Sequence, residues 1–164
     1  MFMLILQATP VRIWFLLAGL VALGLAQARP RTIGARRAAV LPVALLALSL
    51  GGVVSSFGFA AMAGAAWLSG IAAALLAAHA WLPRPDVRWS DSRERVHVAG
   101  SWLPLTAIVA LFATKYAAGV ALAMQPGLAL SAGFAAPYSF AFGFFSGVLA
   151  ARGLQMWHSR RAAG

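Results

Sequence analysis

The chain contains no cysteine and only three acidic residues, Asp86, Asp91 and Glu94, among its 164 positions. The first absence removes disulfides, thiol redox chemistry and thiolate metal sites. The second confines any carboxylate to one short stretch, so paired-carboxylate acid–base chemistry is excluded from the apolar segments that make up the rest. Charge of either sign is also scarce, at 10% of residues, where an ordinary soluble domain carries roughly a quarter. A water-soluble fold of this length needs a polar surface that this sequence does not have. With 62% of residues in the apolar set and a mean hydropathy of +0.85, the outer surface has to face lipid.

What charge there is has one sign. Lysine and arginine number 13 and the formal net charge is +10. In a soluble protein that excess would point to nucleic acid; here the arginines fall in the gaps between apolar runs, where a membrane explains them, and no nucleic-acid partner is expected. The expected partners are the bilayer itself and the anionic lipids of its cytoplasmic face.

Crossing roughly 30 Å of hydrocarbon at 1.5 Å per residue takes about 20 helical residues, and five segments meet that length: 10–27, 38–55, 59–82, 101–124 and 137–157. Thr9 is placed to cap the first, with Pro10 at its first helical position and Phe2 to Leu6 as an apolar lead-in. Nothing charged precedes Arg12, which a signal peptide would require, so this segment is expected to be a retained span. Between the second and third, the SSFG turn at 55–58 has Gly58 as its pivot and makes a helical hairpin. In GSWLP, Ser101 caps the fourth span and Pro104 occupies its first turn. The expected fold is an all-α membrane protein, one domain over 1–164, built as a bundle of five transmembrane helices.

Orientation follows from the arginines. Arg29, Arg31, Arg36 and Arg37 lie in one loop, Arg84, Arg88, Arg93 and Arg95 in another, and Arg152, Arg160 and Arg161 at the C-terminal end. With five spans all three groups share a side, which the positive-inside rule makes cytoplasmic, leaving the N-terminus outside. Trp14, Trp81, Trp102 and Trp157 stand near span ends, as interface anchors do. Loop 83–100 alternates Val87 and Trp89, then Val96 and Val98, with polar residues around a turn-rich SDSRE, the pattern of a small cytoplasmic β-hairpin.

Two small-residue ladders supply close packing faces: Ser139, Gly143, Gly147 and Ala151 in the fifth span, and Ala66, Gly70, Ala74 and Ala78 in the third. The fifth-span ladder carries more weight, because glycine lowers helix propensity and yet recurs on one face. Whether these faces meet a helix of the same chain or a second copy is not readable from spacing.

The groups that catalysis would need are missing. His79, His97 and His158 do not pair at metal-binding spacing and none faces another at mid-bilayer depth, so neither a metal nor a cofactor is expected. Ser55, Ser56, Ser69, Ser131, Ser139 and Ser146 have no histidine or carboxylate at a matching depth, and the glycines form no phosphate loop. The protein is therefore not expected to be an enzyme.

One residue resists the topological account. In LFATKYAAGVALAMQP, Lys115 lies about 15 residues past the start of the fourth span, just beyond the bilayer centre, where a lysine costs about 2.5 to 3.5 kcal/mol to insert. Thr114, Tyr116 and Gln125 are the polar residues near it in sequence, and together they form the candidate binding site.

The stretches GSWLPLTAIVALFATKYAAGVALAMQP, FSGVLAARGLQMW and SLGGVVSSFG resemble a family of small bacterial multi-pass inner-membrane proteins known only as a domain of unknown function. The resemblance runs over most of the chain, with TKY followed by AMQP its most specific part. It implies a bacterial inner-membrane setting and no activity. Two classes of function stay open: a non-enzymatic scaffold or accessory component, acting with another membrane protein or a second copy, and a small transporter or permeation subunit for a hydrophilic or anionic solute with a polar site at Lys115.

Overall fold

The computed structural model describes residues 11–81, 87–89 and 95–162. Among them are five helices: α1 (Val11–Ala28), α2 (Ala35–Phe57), α3 (Ala61–Ala80), α4 (Leu103–Met124) and α5 (Ala132–Ala162). A 3-10 turn, Pro126–Leu130, joins α4 to α5, and three short strands complete the described structure: β1 (Arg31–Gly34), β2 (Val87–Trp89) and β3 (Arg95–Val98). Thr9, Pro10 and the lead-in Phe2 to Leu6 lie outside the described residues, as do SDSRE and all three acids.

The helix ends show local chemistry at work. Gly58 closes α2 at φ +67°, a conformation that favours glycine, and its N–H reaches the Val54 carbonyl at 2.8 Å. Ser101 Oγ accepts the Leu103 N–H at 3.3 Å at the start of α4, and Pro104 sits within the first turn, where a missing donor does no harm. The last helix differs from the expected 137–157: it starts at Ala132, carries Pro137 internally and runs on to Ala162. Pro137 falls near enough to the N-terminus that it removes only one early hydrogen bond. At 31 residues the helix is about 46 Å long, well beyond the hydrocarbon thickness.

Three helices, Ala61–Ala80, Leu103–Met124 and Ala132–His158, are long and apolar enough to cross a membrane. Of these, α5 is central: 56% of its most apolar window is buried, against 22% for α3 and 17% for α4. The others are arranged around it. Against α5, α3 runs parallel: Gly143 meets Trp67, Gly147 meets Ile71 and Ala74, and Gln155 Nε2 donates to the Ala78 carbonyl at 3.3 Å. The opposite side of α5 carries α2, running antiparallel, with Phe57 edge-on to Phe134 and Ser49 bonded to the Phe142 carbonyl. On the outside, α1 pairs with α4. Their junction is tight: the Ser101 N–H donates to the Gln27 carbonyl at 3.2 Å, and Gly100 passes so close to the Ala28 carbonyl that no side chain fits there. Although a tight turn joins α2 to α3, each packs chiefly on α5 rather than on the other.

The expected β-hairpin is present as β2 and β3, antiparallel with Val87 opposite Val98 and Trp89 opposite Val96. It is joined by a third strand that the sequence reading took for a charged loop. β1 pairs antiparallel with β3, Arg31 opposite Val98 and Gly34 opposite Arg95, giving the order β1-β3-β2. Thr32 Oγ1 and His97 Nδ1 lie 3.0 Å apart across that pair. Because β1 links α1 to α2 and the hairpin links α3 to α4, the sheet fixes both arginine-bearing connections at one end of the bundle. The C-terminal part of α5 reaches the same end, near β2.

Arg152, expected at the C-terminal end of the last span, lies within α5 and is only 8% exposed.

Candidate functional site

Glycine lets two helices touch backbone to backbone, and the two small-residue ladders do so against each other. A side chain at Gly143 would collide with the Trp67 carbonyl, and one at Gly70 with the Phe140 carbonyl; at Gly147 it would come within 2.8 Å of the Ala74 Cβ. Ala74 and Ser139 are fully buried, and Ala78 and Ala151 nearly so; Ala66 is half-buried. The α3–α5 seam is thus closed along its length, with no room for a solute between the helices.

The polar groups of the interior bind protein rather than space. Trp67 Nε1–H donates to Ser49 Oγ at 3.0 Å, and Ser49 Oγ–H donates on to the Phe142 carbonyl at 3.0 Å. Ser146 Oγ reaches the Phe142 and Gly143 carbonyls at 2.7 and 3.2 Å. One chain of hydrogen bonds therefore ties α2, α3 and α5 together near mid-helix. Ser139 Oγ, buried in the same seam, has no partner.

Lys115 lies on the other side of α5. It is exposed, not enclosed by the bundle, and its ammonium ends beside Gly52 of α2: a methyl group built on Gly52 would stand 3.5 Å from Lys115 Nζ and 3.8 Å from Phe142 Cε1. α2 and α4 touch each other only sparsely while both pack on α5. They flank a lateral groove on this side of α5, which the Lys115 side chain bridges to end beside Gly52. Among the described residues no hydrogen bond or ion pair holds that ammonium.

The residues grouped with Lys115 by sequence proximity do not join it in this groove. Thr114 Oγ1 donates to the Ala110 carbonyl of its own helix at 2.8 Å. Tyr116 stacks on Phe112, ring centroids 6.2 Å apart and 12° between planes. Gln125 is exposed at the end of α4, where its N–H bonds the Ala121 carbonyl and its own carbonyl accepts the Leu128 N–H. Successive helical residues point about 100° apart, so sequence neighbours of a lysine are not its spatial neighbours. Gly52, which does approach it, comes from another helix. The adjacent GG at 51–52 was the available signal for it, since a glycine pair inside an apolar helix marks a place where something comes close.

The histidines are dispersed. His97 lies in the sheet, His79 and His158 are exposed near helix ends, and among the described residues no group of three His, Asp or Glu could hold a metal ion. Of the four anchoring tryptophans, Trp81 and Trp102 are strongly exposed at the sheet end, Trp157 less so, and Trp14 is exposed near the opposite end.

These features define a mostly helical protein with three helices long and apolar enough to cross a membrane, a closed α3–α5 seam and an exposed lysine beside α2. The chain belongs to a family of unknown function, DUF6622, which it matches over residues 1–163. No curated protein and no solved structure matches it.

Proposed function

We propose that this chain is a non-enzymatic accessory or scaffold component of the bacterial inner membrane, crossing it five times with the N-terminus outside and the C-terminus in the cytoplasm. One observation supports the reading: Lys115 is exposed on the α2–α4 side of α5, whereas the α3–α5 seam is closed by backbone contact. A solute moving through the protein needs a polar path between helices; a laterally diffusing partner needs a face. The arginine-bearing connections gathered by the sheet support the orientation, since they would meet the anionic cytoplasmic leaflet together. The shorter apolar segments of α1 and α2, Leu17–Ala28 and Pro42–Phe57, support the remaining two crossings, because each belongs to a helix within the usual spanning range.

The reading is tested by reconstituting the purified chain in liposomes and following efflux of entrapped chloride, phosphate and glutamate. Efflux at the rate of protein-free vesicles is expected. A flux that Lys115→Met abolishes would overturn the scaffold reading in favour of a transporter with its polar site at Lys115. Reporter fusions test the threading: those after residues 57 and 130 should report the outside, and those after 90 and 164 the cytoplasm. A cytoplasmic signal at 130 would remove the last two crossings.

A further inference from the structure

Among the described residues the ammonium of Lys115 has no anionic partner, and the sequence places no carboxylate near it that a second copy could supply. All three acidic residues fall at sequence positions 86 to 94, more than twenty residues before Lys115, which is in the middle of α4. A homodimer would bring together two lysines and no carboxylate at that depth. The counter-charge, if it is a side chain, belongs to a different protein.

Depth argues against a lipid phosphate in that role. Gly52, which marks where the ammonium ends, lies within α2 short of its terminus at Phe57, about 8 Å along the helix axis. With α2 crossing the membrane as proposed above and its end at the headgroup layer, either a phosphate would have to descend toward Gly52 or the lysine would have to leave Gly52 to meet it. A carboxylate on a transmembrane helix can stand at any depth its sequence sets.

The walls of the groove suit a helix. On α2, Gly51 and Ser55 are exposed, and on α4, Gly119, one turn beyond Lys115, is exposed; a side chain built on Gly51 or Gly119 would meet nothing within 4 Å. Small residues on an outward face let a second backbone approach closely, and an ion pair or hydrogen bond across such a contact adds to it. Resting on the scaffold reading above, we infer that the α2–α4 groove receives a transmembrane helix of another protein that carries an aspartate or glutamate level with Gly52, paired to Lys115.

The test uses the full chain in zwitterionic bilayers with a designed apolar transmembrane peptide bearing one aspartate at the matching depth. Association is followed by energy transfer between labels on chain and peptide. The aspartate peptide should bind about tenfold more tightly than its asparagine or leucine counterpart. Lys115→Met should abolish that preference, and pairing Lys115→Asp with a lysine peptide should restore it. Equal binding of all three peptides, or a preference untouched by Lys115→Met, would overturn the inference. So would displacement of the aspartate peptide by phosphatidylglycerol in a Lys115-dependent manner, which would assign the site to a lipid anion. Failure here with no solute flux in the liposome assay leaves the scaffold reading standing; a Lys115-dependent flux removes that reading whatever the peptides do.

Discussion

The two sides of α5 use the same residue type in opposite ways. Toward α3, Gly70, Gly143 and Gly147 are buried and occupied by the facing backbone; toward the α2–α4 groove, Gly51 and Gly119 are exposed with nothing near them. In lipid there is no hydrophobic force to bring helices together, so a glycine face becomes either a completed seam or an unfilled one. Composition alone does not separate the two cases. What separates them is whether a complementary ladder exists in the same chain: the α5 ladder has one in α3, while the groove has only a lysine.

The sharpest way to break this contrast is to fill the closed seam. Gly143→Leu should remove folded protein altogether, because its side chain would have to displace the Trp67 carbonyl. Gly143→Ala should still cost about 1 to 3 kcal/mol through overpacking. Monodispersity on size exclusion and thermal unfolding in mild detergent read both. If both variants melt like the parent, the seam is not the closure described.

Next in size is the hydrogen-bonded chain that crosses the bundle. Ser49→Ala strands the Trp67 indole N–H and loses one donor to the Phe142 carbonyl, so a loss of about 1 to 3 kcal/mol is expected. Ser139→Ala should act in the opposite sense. Its Oγ is buried without a partner, and removing an unsatisfied hydroxyl should leave stability unchanged or raise it by about 1 kcal/mol. Chemical or thermal denaturation of the two variants side by side checks the sign. Equal destabilisation would mean that the Ser139 hydroxyl has a partner after all.

How much of this was legible in the sequence differs by feature, for physical reasons. Local signals read well: Gly58 as pivot, Pro104 in the first turn of α4, the end of α4 at Met124, and the alternation that makes β2 and β3; Ser101, expected as the cap, lies one residue before the N-cap Trp102 and accepts the Leu103 N–H from there. Each depends on a few adjacent residues. Strand β1 was hidden because the arginines around it read as a solvated loop, although β-branched Thr32 and Ile33 between Pro30 and Gly34 fit a short strand. The start of α5 lies at Ala132 rather than near Pro137 because the apolar residues before Pro137 extend the helix, and a proline in its second turn is tolerated. The surroundings of Lys115 could not be read at all: Gly52 is 63 positions away by number, and only the way α2 and α4 flank α5 brings them together.

The smallest expected effect is the most specific to the groove, and it compares two adjacent glycines. Gly51 and Gly52 share a helix and a sequence context, so replacing either with alanine gains the same helix propensity, about 0.5 to 1 kcal/mol. At Gly51 the new methyl meets nothing. At Gly52 it meets Lys115 Nζ at 3.5 Å and Phe142 Cε1 at 3.8 Å, ordinary contact distances that require no backbone movement but place an apolar group against an ammonium. Gly51→Ala should therefore show the full gain, and Gly52→Ala a smaller one, with the deficit reflecting poorer solvation of the ion. The comparison is completed in a Lys115→Met background, where a thioether replaces the charge and the methyl at position 52 becomes a favourable neighbour. There the two alanine variants should converge. If Gly52→Ala matches Gly51→Ala already in the parent and the difference does not change on removing the lysine, the ammonium does not rest against α2, and the groove loses the charge that distinguishes it from ordinary lipid-facing surface.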